Sequence, residues 1–287
     1  MVRKRNPLIT EDRFYKPDLR DFSPRNGEVS KVVLHCTGGR IVQLAMDHHF
    51  GTGLDTNKLN DLTCDPDKSL KVTEYSADFY HKVNSVSTGF VIGYCGERFQ
   101  TLNEDVRAWS AGIGKAVISL YKKGFLMWSS FRLVDGKLVG APNGFYDFWC
   151  KLYNEAHGRP SNAPIPNNAS PLEFTGGDHG PDHIAISIDM VTPPYQRRDA
   201  RGVRCLGPTA PSYENGSLYT NAQLDSVAGL LRELDSHYPK FERDRGHVLP
   251  HSLTSPIERV LGVNINGKTT GYGYDPGETL NWQRLLA

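Results

Sequence analysis

Three short apolar runs constrain the fold of this chain more than any other feature of its sequence. Residues 31–37 (KVVLHCT), 88–94 (TGFVIGY) and 184–191 (IAISIDMV) each have the length and the character of a buried strand. The second run turns at 95–97 into 98–102 (RFQTL), which predicts a hairpin. The first run ends in a polar tip that includes His35, and the third carries Asp189 near its end.

Helices are predicted between and after these strands. The clearest covers 221–237, where apolar residues recur on one face behind a capping Thr220 or Asn221. Two more are predicted at 116–125 and 146–156, and the second of these runs into a Pro- and Asn-rich loop. Strands alternating with helices indicate an α/β fold.

The chain is predicted to form one domain. We expect a polar leader at 1–30, then a single catalytic domain at 31–287 with long insertions at about 113–180 and 193–217. No internal repeat argues for a division into two domains. The five cysteines include no CxxC pair and are expected to be free thiols.

Charge and hydropathy exclude several classes of partner. The formal net charge of +1 gives no global field that would attract nucleic acid, so no nucleic-acid partner is expected. No apolar run approaches the roughly 20 residues that span a bilayer, so membrane insertion is not expected either. The start, MVRKRNPLITEDRF, lacks the apolar core of an export signal, which predicts a cytoplasmic protein.

Three distant residues form a candidate zinc site. Zinc hydrolases take three ligands of the His, Cys, Asp or Glu type and leave a fourth position for water. His35, His251 and Asp275 supply such a set. Prolines restrict the segment 250–256 (PHSLTSP), which shows no obvious helix, and Pro276 follows Asp275. We therefore expect His251 and Asp275 on stiffened loops.

Six segments in the same order resemble the zinc-dependent N-acetylmuramoyl-L-alanine amidases. That family includes phage amidase lysozymes, cytoplasmic anhydromuropeptide amidases and the related peptidoglycan recognition proteins. The segments are VVLHCT (32–37), AWSAG (108–112), IAISID (184–189), YTNAQLDSVAGLL (219–231), HSLTSP (251–256) and YDPGETLNW (274–282). The resemblance implies a mixed central β-sheet flanked by helices, with zinc in an open groove on one face.

The resemblance also assigns roles around the metal. It implies that His35, His251 and Asp275 bind zinc, with His247 as the competing candidate for the second position. Asp189 falls where the cytoplasmic amidases carry a glutamate that acts as general base on the zinc-bound water. The other interpretation of Asp189 is a strand-end residue that caps a turn.

The oxyanion donor and the substrate contacts depart from the pattern of the family. Relatives often carry a lysine two residues before the third ligand, a position that is glycine here. Lys268 or Tyr274 is the predicted replacement, with Tyr272 and a backbone amide as alternatives. Ser110 stands where many relatives have histidine, and the adjacent Trp109 is either a core residue or a platform for substrate. His179, in a glycine-rich loop before the Asp189 strand, is predicted to touch substrate at the rim of the cleft.

The function that the resemblance implies is zinc-dependent hydrolysis of the amide bond between N-acetylmuramic acid and L-alanine. The partner would be peptidoglycan or a muropeptide, and the setting a phage endolysin released to the wall or a cytoplasmic enzyme that trims recycled muropeptides. Two alternatives stay open at this point. The chain could hydrolyse a different amide on the same scaffold, or it could be an inactive peptidoglycan-binding protein. The sequence carries no signal for the oligomeric state.

Overall fold

A computed structural model provides the fold of most of the chain. It describes residues 11–12, 25, 27–37, 39–51, 65–82, 88–102, 122, 133–134, 137–138, 145–166, 168–176, 181–192, 197–198, 204–205, 219–259, 275–277 and 280–287. The strands are β1 (Glu11–Asp12), β2 (Lys31–Cys36), β3 (Phe90–Ile92), β4 (Arg98–Gln100), β5 (Leu133–Val134), β6 (Lys137–Leu138), β7 (Ala185–Met190), β8 (Arg197–Arg198), β9 (Arg204–Cys205) and β10 (Val248–Pro250). The helices are α1 (Gly39–Phe50), α2 (Pro66–Lys82), α3 (Phe145–Ala156), α4 (Asn221–His237), α5 (His251–Thr254), α6 (Pro256–Arg259) and α7 (Trp282–Leu286).

Six of these strands form one mixed sheet in the order β1-β4-β3-β7-β2-β10. The pair of β3 and β4 is antiparallel, as expected for a hairpin, and the other neighbours run parallel. Parallel strands are usually covered by helices on both faces, and their residues read as continuous apolar runs. The burial of every residue of β7 agrees with this rule. The predicted mixed α/β fold is therefore confirmed.

The two faces of the sheet pack against different helices. Alternate residues of β2 and β7, including Leu34 and Ile188, join a core with Leu231 and other apolar residues of α4. On the opposite face, Val91 and Phe99 pack with residues of α1 and α2. Because successive side chains of a strand point to opposite faces, the residues between the α4-facing ones point toward α1 and α2. The side chains that matter for function lie on that second face.

A third core cluster supports the end of β10. Trp149 and Tyr153 of α3 pack with Leu249 of β10 and Leu253 of α5. The indole Nε1 of Trp149 also donates a hydrogen bond to the carbonyl of Leu253, at 3.2 Å. The part of the predicted first insertion that the structure describes therefore stabilises the segment that follows β10.

The predicted elements compare with the structure as follows. The strands near 31–37, 88–94 and 184–191 are confirmed with shorter bounds, and so is the helix at 221–237 with Thr220 as its N-cap. The helix predicted at 146–156 is α3. Of the one predicted at 116–125, only residue 122 is described. The bounds of the leader, the domain and the insertions stay predictions.

The expectation of a loop at His251 is wrong. A short helix begins there, directly after β10, and a second begins at Pro256. The prolines that suggested a loop are compatible with helix starts, because proline has the φ of a first turn and the lost N–H has no partner within that turn. Pro250 has φ −73° at the N-cap.

None of the helices within the described ranges combines the length and the apolar character that a bilayer crossing needs.

Candidate active site

His35 is the first component of the site and comes from the end of a central strand. It lies one residue before the end of β2, between β7 and β10, and only 3% of its surface is exposed. Its register partner on the parallel neighbour β7 is Asp189. Residues in register on parallel strands share a face, so both side chains point toward α1 and α2. The sheet therefore holds this histidine and this carboxylate next to each other.

His251 is contributed by the first residue of α5. It follows directly on β10, which pairs with β2 so that Pro250 lies beside Leu34. This register brings the start of α5 to the end of β2 where His35 lies. His251 is 2% exposed.

Asp275 reaches the same place on a tethered turn. The Ser252 hydroxyl donates to the Asp275 carbonyl at 2.9 Å and accepts from its backbone N–H at 2.8 Å. The backbone N–H of Cys36 donates to Asp275 Oδ1 at 2.6 Å. The next peptide bond, to Pro276, is cis, and the Tyr219 hydroxyl donates to the Pro276 carbonyl. These hydrogen bonds fix the carboxylate against the ends of β2 and α5.

The three side chains converge on one oxygen atom. Asp275 Oδ2 lies 3.3 Å from His35 Nδ1 and 3.1 Å from His251 Nδ1. The two imidazole rings are 4.4 Å apart between centroids, in an edge-on arrangement. Each residue offers one possible ligand atom, and the three atoms lie within 4.8 Å of one another. Three potential metal ligands are thus gathered in one buried cluster.

The spacing of these atoms suits a tetrahedral metal ion. Zinc binds histidine nitrogen and carboxylate oxygen at roughly 2.0–2.1 Å, so two ligand atoms at a tetrahedral angle are roughly 3.3 Å apart. The distances of 3.3 and 3.1 Å to Asp275 Oδ2 agree with that separation. The donor set and its spacing therefore fit zinc.

For two of the three residues, Asp275 and His251, the electrostatics favour the protonation states that a cation needs. Burial alone raises the pKa of Asp275, but hydrogen bonds from His251 and His35 hold that pKa well below its usual range. Burial, helped by the nearby Arg259 cation, lowers the pKa of His251 well below its usual value. An ionised carboxylate beside a neutral imidazole is the form that binds metal. For His35, burial lowers the pKa, and the opposing contact with Asp275 gives a net increase.

Asp189 is a second buried carboxylate with the opposite shift. It is 3% exposed, and burial is the main reason that its pKa is raised. The Tyr80 hydroxyl of α2 donates to Asp189 Oδ1 at 2.9 Å. A carboxyl group with a raised pKa exchanges its proton closer to neutral pH than an ordinary aspartate does. The arrangement suits proton transfer beside His35.

Sequence reasoning missed two residues of this site. Tyr80 carries no sequence signal, because it is one aromatic residue among several on an amphipathic helix. Arg259 ends α6, and its NH1 atom lies 3.5 Å from Asp275 Oδ2. Its position three residues after Pro256 could have been noticed only if the second short helix had been predicted.

The other candidates are distributed as follows. His247 does not join the cluster; it lies with Glu242 and Asp244 in a partly exposed group. His48 and His49 are exposed on α1. The remaining predicted site residues lie outside the described residues: Lys268, Tyr274, Trp109, Ser110 and His179. Their roles, and the open groove, stay predictions. The cysteines that are described as free thiols are Cys36, Cys95 and Cys150.

Comparison with known proteins agrees with the resemblance seen in the sequence. Residues 25–270 match the family described as N-acetylmuramoyl-L-alanine amidase. A solved structure of a selenomethionine AmpD derivative is similar to this chain with a TM-score of 0.41 and 15% identity, covering 96% of this chain and 93% of that one. No curated protein matches. Because the family match extends over most of its length, the chain belongs to the N-acetylmuramoyl-L-alanine amidase family.

Proposed function

We propose that this protein hydrolyses the amide bond between N-acetylmuramic acid and L-alanine in peptidoglycan or muropeptides, in a zinc-dependent reaction. The observation that carries the proposal is the buried cluster of His35, His251 and Asp275, in which each histidine nitrogen lies at a distance from Asp275 Oδ2 that suits two ligands of one zinc ion. Family membership supports the class of bond, and the residues of the site support hydrolysis.

The three clustered residues would hold the metal. His35 and His251 would bind as neutral imidazoles, and Asp275 as an ionised carboxylate whose other oxygen accepts the Cys36 N–H. When bound, zinc polarises the scissile carbonyl and lowers the pKa of a coordinated water to about 7. The hydrogen bonds from Ser252 would keep Asp275 oriented without that ion.

Asp189 is the proposed proton carrier. In its ionised form it takes a proton from the attacking water, and in its neutral form it gives that proton to the nitrogen of the departing amine. The water oxygen first adds to the carbonyl carbon, and the bond from that carbon to nitrogen then breaks as the nitrogen receives the proton, so atoms and charge balance. Tyr80 holds Oδ1 of Asp189 and thereby directs the other carboxylate oxygen. Burial raises the pKa of Asp189 toward the pH at which both forms are available.

Product analysis with matched variants tests this proposal. Purified muropeptide is incubated with the parent, with Asp189→Asn and with Asp244→Asn, which alters an exposed carboxylate. We expect the parent to release a peptide with a new L-alanine amino terminus, Asp244→Asn to match it, and Asp189→Asn to retain zinc but lose about 10²- to 10⁴-fold in rate.

Three other outcomes would each overturn part of the proposal. Binding of the parent to cell walls without cleavage would identify an inactive binding protein. Cleavage of unrelated acyl-amides but not of muropeptide would show that the enzyme hydrolyses a different amide bond. An active Asp189→Asn variant would remove the assigned proton carrier. A cytoplasmic location and release as a phage endolysin stay predictions.

A further inference from the structure

Arg259 brings a permanent positive charge to the cluster from an unexpected part of the chain. It is the last residue of α6, eight positions after His251, and its NH1 atom is 3.5 Å from Asp275 Oδ2. That oxygen is the one on which His35 and His251 converge. The guanidinium therefore faces the candidate metal ligands directly.

Arg259 is also more accessible than the groups that it touches. Its side chain is 17% exposed, whereas Asp275 is 3% and His251 is 2% exposed. A substrate must approach the cluster from a side that solvent reaches. Among these contacting groups, Arg259 has the largest solvent-exposed fraction.

The contact of Arg259 with Asp275 is longer than a strong guanidinium–carboxylate pair. A strong guanidinium–carboxylate pair has N···O distances of roughly 2.7–2.9 Å, and this chain has such a pair in Arg284 and Asp225, where both distances are 2.7 Å. The 3.5 Å contact of Arg259 is longer. A guanidinium presents five N–H donors in a planar fork, so it can face the carboxylate and a substrate oxygen together.

We propose that Arg259 is a catalytic residue that binds the oxyanion formed when water adds to the scissile carbonyl. This inference rests on the proposed amide hydrolysis. The lysine that relatives often place two residues before the third ligand is Gly273 here. The cation would instead come from the helix that follows the second histidine, where a fixed positive charge stabilises the transition state more than the ground state.

The test compares Arg259→Met and Arg259→Lys with the parent and with Arg243→Met, a control that removes a surface arginine paired with Asp235. Four quantities are measured for each: the melting temperature, zinc affinity by competition with a chelating dye, kcat and KM on muropeptide, and the affinity of the zinc-loaded protein for inorganic phosphate. Phosphate serves as a tetrahedral oxyanion.

We expect Arg259→Met to lose about 10²- to 10³-fold in kcat, with KM and zinc affinity within about threefold of the parent. Its affinity for phosphate should fall by at least about tenfold. Arg259→Lys should recover part of the loss in kcat and part of the loss in phosphate affinity. Lysine keeps the positive charge, but it lacks the planar set of N–H donors of a guanidinium. Arg243→Met should match the parent in all four measurements.

Two results would overturn the inference. If Arg259→Met weakens zinc binding about 10- to 100-fold and regains full kcat at saturating zinc, Arg259 only positions Asp275. If it matches the parent in kcat and in phosphate affinity, it has no role in the reaction. Failure of the parent to cut muropeptide would refute the proposed function instead, and loss of phosphate binding in Arg259→Met would still support the anion site.

Discussion

Two clusters of histidine and carboxylate draw residues from the stretch 242–275, and they differ in burial and in the origin of their residues. His251 and Asp275 are buried with His35, whereas His247 lies with Asp244 and Glu242 in a partly exposed turn. Both histidines contact an aspartate through Nδ1, at 3.1 Å and 2.7 Å. The shorter contact belongs to the exposed pair. A short hydrogen bond therefore does not identify the functional cluster.

The two clusters differ more clearly in the sequence separation of their residues than in the length of their hydrogen bonds. Asp244 accepts hydrogen bonds from the N–H groups of Gly246 and His247, so its contacts stay within one turn of chain. Asp275 meets His35 across 240 positions and His251 across 24. Local contacts form in many surface turns at little cost, whereas a buried convergence of distant polar groups is costly unless they are well satisfied. The comparison favours the buried cluster as the metal site.

The largest expected effect distinguishes the two histidines. Zinc sites contribute about 10–16 kcal/mol of binding free energy, so His251→Ala should weaken zinc binding by roughly 100- to 1000-fold or more and abolish hydrolysis. His247→Ala should bind one zinc per chain and keep its rate. Metal content by mass spectrometry and release of peptide from muropeptide measure both. Zinc lost from His247→Ala and kept in His251→Ala would reverse the assignment.

Zinc should also stabilise the parent through the buried cluster. A ligand at 100 times its Kd adds about 2.7 kcal/mol to the free energy of unfolding, which corresponds to a rise in Tm of about 4–5 °C for a domain of this size. A chelator should remove this rise from the parent and from His247→Ala. His251→Ala should show no rise. A rise of equal size in both variants would mean that zinc binds elsewhere.

A smaller effect is expected from the hydrogen bonds that hold each aspartate in place, those of Ser252 with Asp275 and those that Asp244 accepts within its own turn. Ser252→Ala leaves the buried N–H of Asp275 without its acceptor, which should cost about 1–3 kcal/mol in urea unfolding and about 10- to 100-fold in zinc affinity. Asp244→Ala removes a comparable set of hydrogen bonds from the exposed turn and should leave zinc affinity unchanged. Equal zinc affinities in the two variants would contradict the role given to Ser252.

The smallest effect concerns an exposed carboxylate with good geometry. Asp225 accepts two hydrogen bonds from Arg284, and this partner lowers the pKa of Asp225. Because the folded-state pKa lies below the unfolded one, the pair stabilises above about pH 4, and the contribution is lost as pH falls through the folded-state pKa. Both side chains are more than a third exposed, so solvent screening limits the contribution to about 0.2–1 kcal/mol at pH 7.

Urea unfolding of the parent and Asp225→Asn at pH 7 and pH 3 checks this value. If the difference in free energy of unfolding between the two proteins is the same at pH 3 as at pH 7, the charge of Asp225 is not the cause of that difference. If the free energies of unfolding of the parent and Asp225→Asn differ by well over about 1 kcal/mol at pH 7, this exposed ion pair is stronger than solvent screening should allow.

The sequence predicted the parts of the site that depend on local pattern. His35 was placed correctly because an apolar run of strand length ended beside it, and Asp189 because a similar run carried it near its end. Asp275 is predicted from its residue type and from the DPG segment that resembles the family, and its role as a ligand stays a prediction. The bounds of α4 followed from its apolar spacing and the Thr220 cap.

The remaining parts depend on tertiary packing, which local pattern does not contain. Tyr80 contacts Asp189 across 109 positions because α2 crosses the face of the sheet. The prolines around His251 predict a loop from sequence alone. In the structure Pro250 precedes α5 and Pro256 begins α6. Arg259 reaches Asp275 only through the second of those helices.

The 240 positions between His35 and Asp275 have a consequence for biosynthesis. A ribosome makes the strand that carries the first histidine 240 residues before the carboxylate that completes the cluster. Contacts of such long range also form slowly. Zinc should therefore bind only after these long-range contacts have formed. A bound ion would show that the parallel strands β7, β2 and β10 have paired as they do in the native sheet.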